Sequence, residues 1–380
     1  MKSILLLLTA FFQLACNSQN TKQENVLLTI SPNVNRNDTT NLAIIQSLNG
    51  FLATKNTSLT ENRYWINSDF QKYIYPYIDI YNIENSKYGK DFYRPSLVEI
   101  ISTENPVQKI IKLAFIGHSS ETGENQLKLI YNLVANIKPQ GIRFSRYLDY
   151  STQHWQTLNK SSLTYKLPPH KTPNENEMIS QEKDIQNICT FFHCKPIPIT
   201  YYSCTSPKEI FEIKGFDYHP MMYAHKTGGL ADYGNIIYSG NHSEIYTHEI
   251  IHIYTNQLFP KIDKFMDEGI ATFMAGSGKF DYEWHRNKLE KFLNEHTAFN
   301  FAEHTDAYER LYFEQETSIP YLAAALIMER TLQVYGKEQL IELLKSETDL
   351  WTSLKKVGLT KENINEALRK QIKLPVTKPL

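Results

Sequence analysis

The sequence predicts an α+β protein in two parts: an N-terminal helix with an antiparallel sheet, then a mostly helical domain that carries a small sheet. Three observations point there. A helical stretch, "NLAIIQSLNGFLATKN", is followed by segments of strand character with turn signals between them. A Pro-rich polar stretch, "LPPHKTPNENE" at 167–177, then interrupts the pattern and is the best linker candidate. Beyond 243 the apolar residues recur almost entirely at helical spacing.

Before that fold comes "MKSILLLLTAFFQLAC", with Lys2 followed by an apolar run from Ile4 to Phe12. The run is too short to span a bilayer of ~30 Å and reads as a secretory signal. Cys16 after "QLA" resembles a bacterial lipoprotein processing site, although Gln13 stands where such sites usually have Leu. The resemblance implies residues 1–16 as signal, Cys16 as a lipidated N-terminus anchored to the cell-envelope membrane, and 17–40 as a tether. Ordinary cleavage near Ala15, giving a secreted or periplasmic protein, is the alternative, and either way the chain is exported. No later stretch reads as a transmembrane helix.

The first folded domain is expected over 41–168. Its strand candidates are "SLVEIIS", "VQKIIKLAFIG", "QLKLIYNLVANI", "GIRFSRYLDY" and "SLTYKL", separated by "TENP", "SSETGEN" and "KPQG" and read as a run of antiparallel hairpins. A helix followed by a curved meander loosely resembles the cystatin and nuclear-transport-factor folds. The segment carries no chemical constellation, so its role stays open between docking and presenting substrate.

The second domain is expected over 175–372. A helix around 175–192 leads to a strand, "PIPITYY", a short helix, "SPKEIFEI", and a strand, "GNIIYSG", before the helical remainder. Cys189, Cys194 and Cys204 lie in a chain expected to be exported, where one disulfide pair is plausible but the sequence does not choose it. A zinc site from Cys189, His193 and Cys194 matches no common finger spacing.

The chemistry concentrates in "THEIIHIYTNQLFPKIDKFMDEGIATF", 247–273. His248 and His252 are four residues apart, roughly 40° around a helix, so both imidazoles leave one face. Glu249 flanks that face, where it can reach a water rather than ligate. Tyr246, Ile250, Ile253 and Tyr254 fall opposite and are expected in a core. Asp263 can cap a second helix, on which Glu268 supplies a carboxylate; Gly269, Ala271 and Ala275 would let that helix lie close to the first.

HExxH followed by Glu in an "EGxA" context resembles the gluzincin zinc metallopeptidases, nearest their M1-like, peptidase MA-like branch. The likeness covers roughly 180–370. It implies His248, His252 and Glu268 as zinc ligands, Glu249 as catalytic base, and Asp267 as a residue orienting a histidine. The interval from His252 to Glu268 is a few residues shorter than in the best-known members, which puts the connecting loop in question. "IPYLAAALIMERTLQVYGKEQLIELLKS" resembles the later helices of the family and implies that Tyr321 stabilises the oxyanion, with Tyr308 and Tyr312 as rivals. "GGLADYGNIIY" resembles the "GGMENWG" edge strand of M1 aminopeptidases, or else is a Gly-rich turn into a strand. Ala231 stands where those enzymes carry the Glu that pairs with a substrate's free amine. Asp232 could replace it only by a one-residue slip, which turns a side chain to the other face.

Together these imply a zinc-dependent peptide-bond hydrolase, with peptide or protein as substrate, that is not a general aminopeptidase. A non-catalytic metal-containing binding or structural lipoprotein is the alternative. A formal net charge of -1 without long basic runs argues against nucleic acid as partner.

Overall fold

A computed structural model describes residues 28–224, 226–377 and 379. The signal, Cys16 and tether residues 17–27 lie outside the described residues. No helix among those described is long and apolar enough to cross a membrane.

The chain is α+β. After β1 (Thr29–Ile30), Asp38 caps α1 (Thr39–Thr54) by accepting from Asn41 N–H. Ile44, Leu48, Phe51 and Leu52 recur at helical spacing, and that face packs on the first sheet. A short α2 (Asn67–Tyr73) then leads to β2 (Tyr93–Ser102), β3 (Gln108–His118), β4 (Asn125–Lys138) and β5 (Gly141–Arg146), a four-strand antiparallel meander. The C-terminal half of "GIRFSRYLDY" departs from expectation: Leu148–Ser151 is one helical turn, α3.

The final expected hairpin strand also changes allegiance. β6 (Gln156–Lys160) and β7 (Leu163–Leu167) do not extend the meander; β7 pairs in parallel with β8 (Ile199–Ser203) in a second sheet. Between them α4 (Glu175–Phe192), capped by Asn174, covers that sheet. Helix α5 (Pro207–Lys214) begins at the Ser206 cap and stops at Gly215, whose φ of 108° an L side chain rarely adopts. Next, β9 (Phe216–Tyr218) crosses back to pair with β4 in the first sheet, whereas β10 (Gly229–Asp232) and β11 (Ile236–Ser239) complete the second. The order there is β10-β11-β8-β7-β6, which leaves β10 as an edge. Strand exchange thus runs both ways across residue 168.

The stretch expected as a linker is packed down. Lys171 is buried and pairs with Glu244 at 2.8 Å while its ammonium also meets Ser203, and Asn174 N–H donates to Glu244. Lys171 is the buried charge of this stretch and has its partner, while His170, Thr172 and Asn174 stay exposed.

The helical remainder comprises α6 (Thr247–Leu258), α7 (Lys264–Ala275), α8 (Tyr282–Glu295), α9 (Ile319–Leu344, kinked at Gly336), α10 (Leu350–Lys355) and α11 (Ile364–Gln371). A small hairpin, β12 (Tyr312–Phe313) with β13 (Thr317–Ser318), precedes α9. Every residue of α7 from Phe265 to Phe273 is buried, which makes it the central helix of this half. Gly269 serves α9 rather than α6: a Cβ there would lie 2.6 Å from Ala324 Cβ. The small residue is needed, but for a different neighbour from the one expected.

Candidate metal centre

Neighbours set the start of the HExxH helix and a cap sets the start of the next. At its start, Gln181 Oε1 on α4 accepts from Tyr246 N–H at 2.6 Å, and Thr247 Oγ1 donates to Asp184. Asp263 caps α7 as expected, accepting from Phe265 and Met266 N–H, and so fixes where Glu268 emerges.

His248, His252 and Glu268 are all buried, and their ligand atoms lie within 4.8 Å of one another. Glu268 Oε2 is 3.4 Å from His248 Nε2 and 3.5 Å from His252 Nε2. The rear nitrogens explain this orientation. His248 Nδ1 is 2.7 Å from the carbonyl of Gly276, which can only accept, so Nδ1 carries a proton and Nε2 faces inward. His252 Nδ1 lies 2.9 Å from Asp267 Oδ2, off the hydrogen-bond line, and Asp267 is itself held by Thr255 Oγ1 at 2.6 Å. Asp267 thus sits behind a histidine, in the place expected of an orienting residue.

Sequence reasoning misses Lys264, although its spacing of four from Glu268 on one helix is a usable signal. Its ammonium lies 2.9 Å from Glu268 Oε1 and 3.1 Å from Asp267 Oδ2. The Glu268 carboxylate therefore has one oxygen toward Lys264 and the other toward the histidines.

Without a cation these charges compensate one another. Burial works against a charged His252, but Asp267 and Glu268 outweigh it and raise its pKa to about 10. Burial likewise opposes ionisation of Glu268, yet the two histidines hold its carboxyl far below the ordinary range. Once the imidazoles give up their inner protons, two nitrogens and a carboxylate could hold a metal ion, and that donor set fits zinc. It is the one group of three or more such side chains among the described residues with this convergence. Cys189, Cys194 and Cys204 are free thiols, and Cys189, His193 and Cys194 form no such group.

The cluster floors a cleft of ≈ 390 Å³ that is also lined by Gly229, Ala231, Tyr246, Glu249, Lys264 and Tyr321. Glu249 is half-buried, and its Oε2 accepts from Ala231 N–H at 2.8 Å. Tyr321, in the first turn of α9, faces the same space; burial first, and then the Glu268 charge, raises its pKa well above that of an ordinary tyrosine. The rivals Tyr308 and Tyr312 are mostly exposed and do not line the cleft.

Tyr246 is buried in the core as expected and also borders the cleft, from a position just before the helix with φ −153° and ψ 66°. Its ring requires Gly229, where a Cβ would come within 2.5 Å of Tyr246 Cε1.

The edge strand is β10, so "GLAD" is not merely a turn. Ala231 lines the cleft, and the carboxylate of Asp232 points elsewhere, 2.8 Å from Arg146 and 3.4 Å from Lys214. Neighbouring strand residues face opposite ways, as their pleat requires.

No protein-family model matches the chain, and no curated protein matches it significantly. Geometry alone defines the class: an α+β protein with a buried two-histidine, one-glutamate cluster in a cleft bordered by an edge strand.

Proposed function

We propose that the protein is a zinc-dependent peptide-bond hydrolase of gluzincin type. One observation carries the reading: the ligand atoms of His248, His252 and Glu268 converge in a cleft that also presents Glu249 and Tyr321. A structural zinc site would close with a fourth protein ligand, and this cluster has three.

His248, His252 and Glu268 would hold the ion. Bound zinc supplies a Lewis acid, lowering the pKa of water to ~7 and polarising a carbonyl. Glu249 would take a proton from the water whose oxygen adds to the carbonyl carbon and pass it to the amine that leaves as the C–N bond breaks. Ala231 N–H holds one oxygen of that carboxylate, so the base is oriented before substrate arrives. Tyr321 stays protonated at neutral pH and donates to the carbonyl oxygen as negative charge builds on it.

The carboxylates lining the cleft are Glu249 and Glu268, and both are committed. Ala231 offers a free α-amine no charge, and an unpaired ammonium there would be disfavoured. The reading is therefore an endopeptidase, or an enzyme for an unusual peptide. Comparing cleavage of free and N-acetylated peptides tests this; rapid first-residue release abolished by acetylation would contradict it.

The mechanism is tested by Glu249→Gln. Zinc content should persist while turnover falls by about 10²–10⁴-fold. Undiminished turnover would remove Glu249 from the chemistry, and zinc-loaded wild type inert on all peptides would favour a binding protein. For location we propose a lipid-anchored envelope protein, tested by fatty-acid labelling that Cys16→Ser abolishes.

A further inference from the structure

We propose that the N-terminal sheet domain is a positioning device for the cleft: it grips the β10–β11 hairpin through Arg146 and thereby sets the strand that orients Glu249. The argument starts at a second buried cluster, outside the metal centre. Arg146 ends β5 and is almost wholly buried. Its backbone N–H donates to Asp69 Oδ2 at 2.8 Å, an oxygen that also accepts from Trp65 Nε1 at 2.9 Å, which anchors the arginine in the N-terminal core. Its guanidinium reaches across to Asp232 on β10 at 2.8 Å and to Asp79 at 3.5 Å. Lys214 joins the same two carboxylates, at 3.4 Å from Asp232 and 3.1 Å from Asp79. Two cations and two anions balance, so the cluster needs no further ion. The Arg146 guanidinium also lies over the Tyr73 ring, 4.8 Å from its centroid.

Independent contacts hold the same hairpin from the same domain. Tyr75 packs edge-on against Tyr233 with centroids 4.6 Å apart. Gly234 lies so close that a Cβ would stand 2.3 Å from Lys72 O. Between these contacts Ile74 has φ 64° and ψ −55°, closing a tight turn in which Tyr75 N–H donates to Tyr73 O at 2.6 Å. A β-branched residue in that region is strained, and such strain persists only where the surroundings over-determine it. The strained turn is the segment that touches the hairpin.

The path from the domain to the cleft is short. Asp232 follows Ala231, whose N–H holds Glu249. An edge strand has ladder bonds on one side only, so β10 depends on such side contacts for its exact height over the HExxH helix. Arg146, Asp232 and Tyr75 are positioning residues and do not touch substrate. The catalytic consequence rests on the hydrolase reading; the structural one does not.

The test uses the full mature protein, zinc-loaded, as wild type, Asp232→Asn and Tyr75→Ala. Both substitutions spare Arg146, whose loss could unfold the chain. Amide hydrogen exchange of residues 229–232 should accelerate about tenfold or more in each variant, with α6 and α7 amides and zinc content unchanged. In the same samples, kcat/KM on a peptide the wild type cleaves should fall by about tenfold or more. Unchanged exchange at the Ala231 amide overturns the proposal, as does loosened exchange with full activity. If wild type cleaves nothing, the hydrolase reading fails, and the exchange measurement alone still decides whether the domain sets β10.

Discussion

The protein buries two polar clusters on either side of β10, and they are built on opposite principles. Around Arg146, positive and negative groups alternate and cancel: Arg146 and Lys214 against Asp79 and Asp232. At the metal centre, donor atoms converge: Nε2 of His248 and Nε2 of His252 both lie within 3.5 Å of one Glu268 oxygen, and Asp267 and Lys264 supply compensating charge beside them. A cluster that closes on itself stabilises an arrangement; a cluster that concentrates electron-pair donors selects for a cation. Burial alone does not distinguish the two. The direction in which each group is satisfied does.

The largest effect should come from removing a converging donor. Glu268→Ala is expected to lower zinc from about one ion per chain to near zero by elemental analysis, because two histidines remain where an open zinc site takes three ligands. Zinc retained at wild-type stoichiometry would break the comparison. Next in size, Arg146→Ala leaves Asp79 and Asp232 facing only Lys214. Unfolding in urea should show a loss of about 3–5 kcal/mol, the range for breaking a buried pair by removing one partner. A loss under about 1 kcal/mol would mean that water already screens the cluster.

Asp267→Asn should be milder. The histidine keeps a polar neighbour but loses the charge behind it, and zinc affinity should weaken by about 10–100-fold in competition with a chelator. An unchanged affinity would deny Asp267 its orienting role. The smallest effect belongs to Asp69, beneath Arg146. Burial pushes its carboxyl up to about 6, against the hydrogen bonds from Arg146 N–H and Trp65 that pull it down. Because the folded pKa lies above the ordinary aspartate value of 3.8, the folded state binds the proton more tightly, and stability falls as pH rises from about 4 to about 6. Asp69→Asn keeps an acceptor and removes that penalty. It should gain on the order of 1–2 kcal/mol at pH 7 and nothing at pH 4, measured by urea unfolding at both. A gain independent of pH would assign the effect to packing instead.

Much of this architecture is legible in the sequence. The ends of α4 match those expected, and α5 is bracketed by Ser206 and Gly215; caps and periodicity act within a few residues and can be read locally. The same holds for the spacing that puts His248 and His252 on one face, the Asp263 cap that starts α7, and the opposite facing of Ala231 and Asp232. Partnership is what local reading misses. "SLTYKL" has the alternation of a strand, but alternation does not say which sheet it joins, and it pairs with β8 rather than with the meander. Lys171 reads as part of a solvated linker until Glu244 is brought beside it. Gly269 signals a close approach without naming Ala324 as the neighbour. Lys264 gains its meaning only from where Glu268 points. The sequence by itself determined the elements and the chemical groups, because dihedral preference, capping and periodicity are short-range. The tertiary structure alone decided that the N-terminal sheet holds the cleft's edge strand, because burying a charge is tolerable only beside a partner that folding brings from far along the chain.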